Sequence, residues 1–146
     1  MPGIPQVTTS GPKTFTPAEF IVGRQLVEAR GSSRIGVAAA GSLKVLGVAL
    51  TDAVAPEAFS STPTLDAFNR PVLNAAPLPD KVAVACSGEE TPVKYAATAE
   101  FGDALIAAAA GQVTPAGATP DARTIVGRCT EPAGVAAGAT GLMRIA

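Results

Sequence analysis

The residues of this chain closest to catalytic chemistry are two cysteines, Cys86 and Cys129, and two adjacent carboxylates, Glu89 and Glu90. There is no histidine anywhere. Histidine is the usual general base for a Ser or Cys nucleophile and the commonest ligand for zinc or iron. Its absence takes away the ordinary catalytic triads and the histidine-bearing metal centres together. Cys86-Ser87-Gly88 has the form of a nucleophile turn, but no neighbour in sequence would activate the thiol. The two cysteines are also too few for a disulfide framework and read as buried, reduced thiols. Glu89 and Glu90 point apart on an extended backbone and cannot share one substrate, so they read as a solvated hairpin tip. Gly134–Gly141 is glycine-rich, yet no Gly-Lys-Ser/Thr follows and no βαβ pattern surrounds it. It is neither a P-loop nor a dinucleotide fingerprint, and its glycines serve turns and close packing. The expectation is a protein with no enzymatic activity, no cofactor and no metal.

Charge narrows the partners. Eleven basic and twelve acidic residues give a net charge of −1, and the basic ones are scattered. Nucleic-acid binding needs a basic stripe that displaces counterions from phosphates, and none is visible. A polybasic or basic amphipathic membrane segment is missing too. The start, Met1-Pro2-Gly3-Ile4-Pro5, has neither the charged nor the apolar region of a signal peptide.

The elements that would carry any site are short. Beyond Phe20 the sequence is a series of brief apolar runs broken by Gly, Pro, Ser and Asp. These predict strands at Phe20–Glu28, Ile35–Ala39, Leu43–Thr51, Lys81–Cys86, Val93–Ala97, Ala104–Ala109, Arg123–Thr130 and Leu142–Ile145. Val82, Val84 and Cys86 alternate with Ala83 and Ala85, and Ser87–Pro92 reads as a hairpin loop leading to the next strand. Over Ala99–Ala110 the Ala/Leu composition also suits a helix ending at Gly111. An internal echo favours strand: Val37–Leu43 is similar to Ala107–Val113, and Leu46–Ala53 to Val126–Ala133. The second copy carries ten extra residues, Thr114–Arg123. The fold class expected is all-β, with many short strands that suit a sandwich or a small β-barrel.

Two proline-rich segments frame this domain. Residues 1–19 hold Pro2, Pro5, Pro12 and Pro17 and read as an extended arm. The remainder, 20–146, reads as one β domain with a proline-rich insertion at 54–80, a length of irregular chain that usually has a task. Apolar residues in these segments are the candidate contacts: Pro2, Ile4, Pro5, Phe15 and Phe20 in and next to the arm, and Phe59, Leu65 and Phe68 in the insertion. The insertion residues either meet a partner or fold back over the barrel's own end. The core is thin. Thirty alanines and fifteen glycines bury little area each, and there is no Trp. Oligomerisation or docking on a larger surface would make up the shortfall; tight packing of a monomer is the alternative.

Four stretches carry a resemblance: Phe101-Gly102-Asp103-Ala104-Leu105, Gly111-Gln112-Val113-Thr114-Pro115, Ile125-Val126-Gly127-Arg128-Cys129 and Gly138-Ala139-Thr140-Gly141-Leu142-Met143. Together they resemble capsid decoration proteins of tailed phages, especially those infecting actinobacteria. The resemblance covers the C-terminal third and, more loosely, Gly36–Ala53; the arm and the insertion lie outside it. It implies a β-barrel or β-tulip-like domain on the outer surface of the virion, bound to the major capsid protein of the tailed-phage fold. It also implies a homotrimer at three-fold positions between capsomers. The arm would lie on capsid protein or a neighbouring copy, and deleting residues 2–19 would weaken capsid binding while leaving the domain folded. Two other classes fit the residues: a tail-tube, connector or baseplate component, and a small-molecule or glycan-binding barrel. Six aromatic residues make a poor lining for the last.

Overall fold

A computed structural model of the chain describes residues 11–58, 65–72 and 79–146. Its strands are β1 (Lys13–Pro17), β2 (Leu26–Arg30), β3 (Arg34–Val37), β4 (Val45–Ala49), β5 (Val82–Ala85), β6 (Glu90–Lys94), β7 (Ala104–Ala107), β8 (Val113–Pro115), β9 (Ile125–Cys129) and β10 (Thr140–Ile145). Among the described residues there is no α-helix, only three single 3-10 turns. The protein is all-β, and its first five strands form a closed barrel in the order β1-β3-β2-β4-β5. The last five form a sheet in the order β6-β10-β9-β7-β8. A parallel bridge between Tyr95 and Val113 draws the two outer strands of that sheet together.

Strand alternation sorts the side chains into two cores. Val27, Ala49, Val82 and Val84 point into the barrel with Ile21, Ile35 and Ala53. Their neighbours Leu26, Val48 and Ala85 point out of it, yet all three are buried. Leu26 pairs with Val48 and Val48 with Ala85, so they form one row across β2, β4 and β5. The core of the second sheet, built on Tyr95, Leu105, Val113 and Met143, packs on that row. The barrel wall is therefore apolar on both faces where the sheet covers it.

Three expectations are corrected here. Lys13–Pro17, assigned to the arm because of its prolines, is a barrel strand, parallel to β3 and antiparallel to β5 with Phe15 opposite Val82. Deleting residues 2–19 would therefore open the barrel and not leave it folded. Ser87–Pro92 does not close a hairpin. Both edges of β5 are already taken, by β1 and β4, so the chain must leave the barrel. It does so in a turn at Gly88 (φ 87°), whose N–H donates to the Ile145 carbonyl at 2.9 Å, and β6 then pairs with β10. Finally, β8 straddles the start of the ten extra residues of the second echo copy, where no strand was expected.

The strand reading of the alanine-rich run holds for Ala104–Ala107, which pairs with β8 and β9. The echo is local geometry. In one copy Ser42 N–H donates to Ala39 O and Gly41 has φ 68°; in the other Gln112 N–H donates to Ala109 O and Gly111 has φ 69°. A bulge precedes Gly47 opposite β2, and another precedes Gly127 opposite β7. A Cβ on Gly47 would fall on the Ala85 carbonyl oxygen, and one on Gly127 on the Arg144 carbonyl oxygen. The strand partners differ, however: β3 and β4 flank β2, whereas β7 and β9 pair directly. The two alanine-glycine turns also touch, through Gly41 N–H to Ala107 O (2.9 Å) and Gly111 N–H to Ala38 O (3.3 Å).

Candidate functional site

The chemistry-bearing residues are occupied with structure. Cys86 is half-buried, and its Sγ turns back to the Val84 carbonyl at 3.6 Å. The Glu89 carboxylate accepts from the Cys86 N–H at 2.6 Å, and the Glu90 carboxylate accepts from the Thr130 hydroxyl at 2.7 Å. The two glutamates have separate partners, Glu89 a local one three residues back and Glu90 a tertiary one forty residues on, and neither sits at a hairpin tip. Cys129 is buried beside Tyr95. Burial first, then that thiol, pushes the Tyr95 phenol far above its ordinary range, and its hydroxyl donates to the Leu142 carbonyl at 2.8 Å. Among the described residues no group of three or more His, Cys, Asp or Glu could hold a metal ion.

The most elaborate polar cluster clamps the outside of the barrel. Arg30 lies 3.3 Å from Glu19 and 3.2 Å from Glu28, and the Glu19 carboxylate also accepts from the Val37 N–H at 2.9 Å. Gly36 leaves the space for this, because a Cβ there would stand 2.6 Å from both Arg30 Nε and Glu19 Oε1. Hydrogen bonding from Ser42, then from the Ala39 N–H, with the charges of Arg30 and Lys44, holds the Glu28 carboxyl below its usual range despite burial. Next to this clamp Arg34 pairs with Glu57, whose carboxyl drops to about 2 chiefly through that hydrogen bond.

The candidate contact residues scatter. Phe15 is half-buried and packs on the barrel core. Phe20 is 53% exposed, alternating with buried Ile21 and exposed Val22. The insertion leaves and returns at one point, where Val54 N–H donates to Pro79 O at 3.0 Å. Within it Leu65 and Pro71 bridge across a tight loop that presents Phe68. Asp66 holds this loop by accepting from the N–H groups of Phe68 and Arg70 and from the Arg70 side chain. Phe68 is 78% exposed, with the Arg70 guanidinium 5.2 Å from its ring centre. Leu65 is half exposed on the same loop. Pro2, Ile4, Pro5 and Phe59 lie outside the described residues.

Sequence reasoning passed over Phe101, which is 65% exposed, and a groove of about 260 Å³ where barrel meets sheet. Phe101 occupies the turn Glu100–Asp103, which is held by Glu100 N–H to Asp103 Oδ2 at 2.8 Å and by Gly102 N–H to Cys129 O at 2.9 Å. An aromatic residue directly before Gly-Asp was the available signal, because a turn tip leaves its side chain little to pack on. The groove is lined in part by Val22, Arg24, Lys94 and Gln112. Nothing in the sequence placed Arg24 next to Lys94.

The sequence matches no protein-family model and no curated protein. Among solved structures, the chain is similar to the N base of head fiber gp8.5 of bacteriophage phi29, seen in a crystal structure. The two share 17% identity with a TM-score of 0.57, and the similarity covers 92% of each chain. At that identity the likeness concerns the fold: the barrel and sheet together, almost end to end, follow the arrangement of a phage head-fibre base.

Proposed function

We propose that this chain is a non-enzymatic structural protein of a tailed-phage virion that decorates the outer surface of the capsid and stabilises it. The observation that carries this reading is the fold likeness to a head-fibre base over 92% of both chains. The resemblance of Leu105–Ala146 to capsid decoration proteins of the actinobacteriophage type points the same way. So does a surface carrying separate exposed apolar anchors at Phe20, Phe68 and Phe101. Aromatic anchors of this kind tend to dominate binding energy at protein interfaces. In this proposal the partners are the major capsid protein and further copies of the chain, arranged as trimers between capsomers. Repetition around closed symmetry would add avidity to modest individual contacts.

Residues 2–10, which precede β1, would supply the capsid-binding arm with Pro2, Ile4 and Pro5. Quantitative mass spectrometry of purified particles tests the reading. A copy number equal to the major capsid protein, or a simple fraction of it, is expected. Roughly a dozen copies would mark a ring component of the tail or connector instead. Deleting residues 2–10 should lower capsid occupancy while the barrel stays folded, and unchanged occupancy would remove the arm from the proposal. Likeness to the base of a head fibre favours a second reading, in which the chain anchors a longer fibre to the shell. Electron microscopy separates the two: decoration leaves low knobs on the shell, a fibre base leaves long projections.

A further inference from the structure

The groove between barrel and sheet carries two cations that form no ion pair among the described residues, Arg24 and Lys94. Asp52 accepts from the N–H of Gly23, a residue of the groove lining, at 2.7 Å. The rim is also preorganised. Gln25 spans the junction, accepting from Val22 N–H at 2.9 Å and donating to Ala110 O at 3.2 Å. Arg24 (φ 74°) and Ala110 (φ 57°) both sit in the left-handed region, which strains a non-glycine residue. Such conformations concentrate at binding sites. Val22, 41% exposed, adds an apolar wall.

At another site the chain carries an exposed aromatic ring beside the opposite charge. The Glu100–Asp103 turn and the Glu131–Gly134 turn are tied by paired hydrogen bonds between Ala99 and Val135 (2.8 and 2.9 Å). Gly134 (φ 72°) permits the close approach, since a Cβ would stand 2.8 Å from the Ala99 carbonyl oxygen. The result is a braced turn with Phe101 exposed and Glu100 beside it, a carboxylate in no ion pair among the described residues. A benzene ring fits an apolar cavity of about 150 Å³, so the groove has room for the phenyl ring. A net charge of −1 gives little long-range repulsion between copies.

We propose that copies of this chain associate head to tail, the Phe101 knob of one seated in the Arg24–Lys94 groove of the next. Phenyl burial supplies the apolar anchor, while Glu100 meets the two cations and fixes the register. The contact is heterologous, so it closes into a ring where the rotation allows. It rests on the oligomeric part of the shell-protein reading and names its interface.

Sedimentation velocity on the purified full chain tests it. Wild type is expected to assemble with rising concentration. Phe101→Ala and the double variant Arg24→Glu/Lys94→Glu should each weaken assembly at least tenfold, with unchanged unfolding midpoints because all three side chains are exposed. An equimolar mixture of the two variants should form dimers and stop there, one intact knob meeting one intact groove. A wild type that stays monomeric, variants that assemble like wild type, or a mixture that forms no dimer would each overturn the contact. Capsid occupancy is scored separately: assembly through this contact without capsid binding sinks the shell reading and leaves the contact standing.

Discussion

The barrel and the second sheet differ in how each completes its core. The barrel closes by strand pairing all the way round and fills itself with its own residues, Ile21, Val27, Ile35, Val82 and Val84 among them. The second sheet draws its outer strands together through the single Tyr95–Val113 bridge, and its core includes Leu26, Val48 and Ala85 of the barrel wall. The barrel is thus the foundation and the sheet is built against it. In an Ala/Gly-rich chain this arrangement makes short strands count twice, because β2, β4 and β5 bury both faces. Damage to the barrel should reach the sheet more readily than the reverse.

The largest expected effect comes from the paired bulge glycines. Gly47 lies between β2 and β5 in the closed barrel, and an added Cβ meets the Ala85 backbone carbonyl. Backbone hydrogen-bonded on both sides cannot yield, so Gly47→Ala should cost more than about 4 kcal/mol, in the exceptional range for one substitution. Loss of cooperative unfolding by circular dichroism is the expected result. Gly127→Ala makes the same kind of clash with Arg144, but its sheet is pinned across the outer strands by one bridge and can open. A lowered but still cooperative transition is expected there. Equal damage at both positions would contradict the foundation picture.

The echoed turns sharpen the comparison further. Gly41 and Gly111 share nearly the same φ, yet a Cβ on Gly41 meets nothing within 4 Å. One on Gly111 meets Gln25 Cβ and Leu26 O at 2.9 Å and Val37 Cγ1 at 3.0 Å. Gly41→Ala should therefore cost only the left-handed strain of about 1–2 kcal/mol. Gly111→Ala adds overpacking against the barrel of about 1–3 kcal/mol. Chemical denaturation measures both, and the gap between them reports how rigidly the sheet is held to the barrel.

Much of this was legible from alternation alone. Val82 and Val84 share a face and fill the barrel, and the alanine-rich run at Ala104–Ala107 is a strand. Strand partners were not legible, because pairing is decided globally. The run after Cys86 looks like the second arm of a hairpin until it is known that β1, from the far end of the barrel's sequence, already occupies the free edge of β5. The same cause hid β1 itself, whose prolines suit an edge or irregular strand and suggested no sheet. At the surface, exposure of Phe20 and Phe68 follows from their polar, proline-rich surroundings, whereas the groove depends on residues far apart in sequence, Arg24 and Lys94, meeting at a junction.

Tyr95→Phe probes the core of the sheet at smaller scale. It removes the bond to the Leu142 carbonyl, but that oxygen keeps the Thr130 N–H at 3.2 Å, so no buried acceptor is left without a donor. The expected loss is about 1 kcal/mol, read as a shift of roughly 2–4 °C in Tm. A much larger loss would mean that the phenol, and not the barrel wall, organises the second core.

The smallest effect should separate the regions by pH. Glu28 belongs to the barrel, is 8% exposed, and its carboxyl is held below the ordinary value of 4.5 by Ser42, Ala39, Arg30 and Lys44. A folded-state value below the unfolded one means that the native state favours the ionised form. The resulting stability is fully present above about pH 4.5 and is lost as pH falls through the lowered value. Glu28→Gln keeps the shape but removes the charge, so it should cost about 1 kcal/mol at neutral pH and less as the medium becomes acid. In wild type, backbone hydrogen exchange in β2 and β3 should rise below pH 4.5 before exchange in β9 and β10, since Glu28 is buried whereas Asp121, the lowered carboxylate next to β9, lies on an exposed turn. Simultaneous loss of protection in all four strands would mean that barrel and sheet unfold as one unit in acid, and the acid response would then report the shared Leu26–Val48–Ala85 row and not the clamp around Glu28.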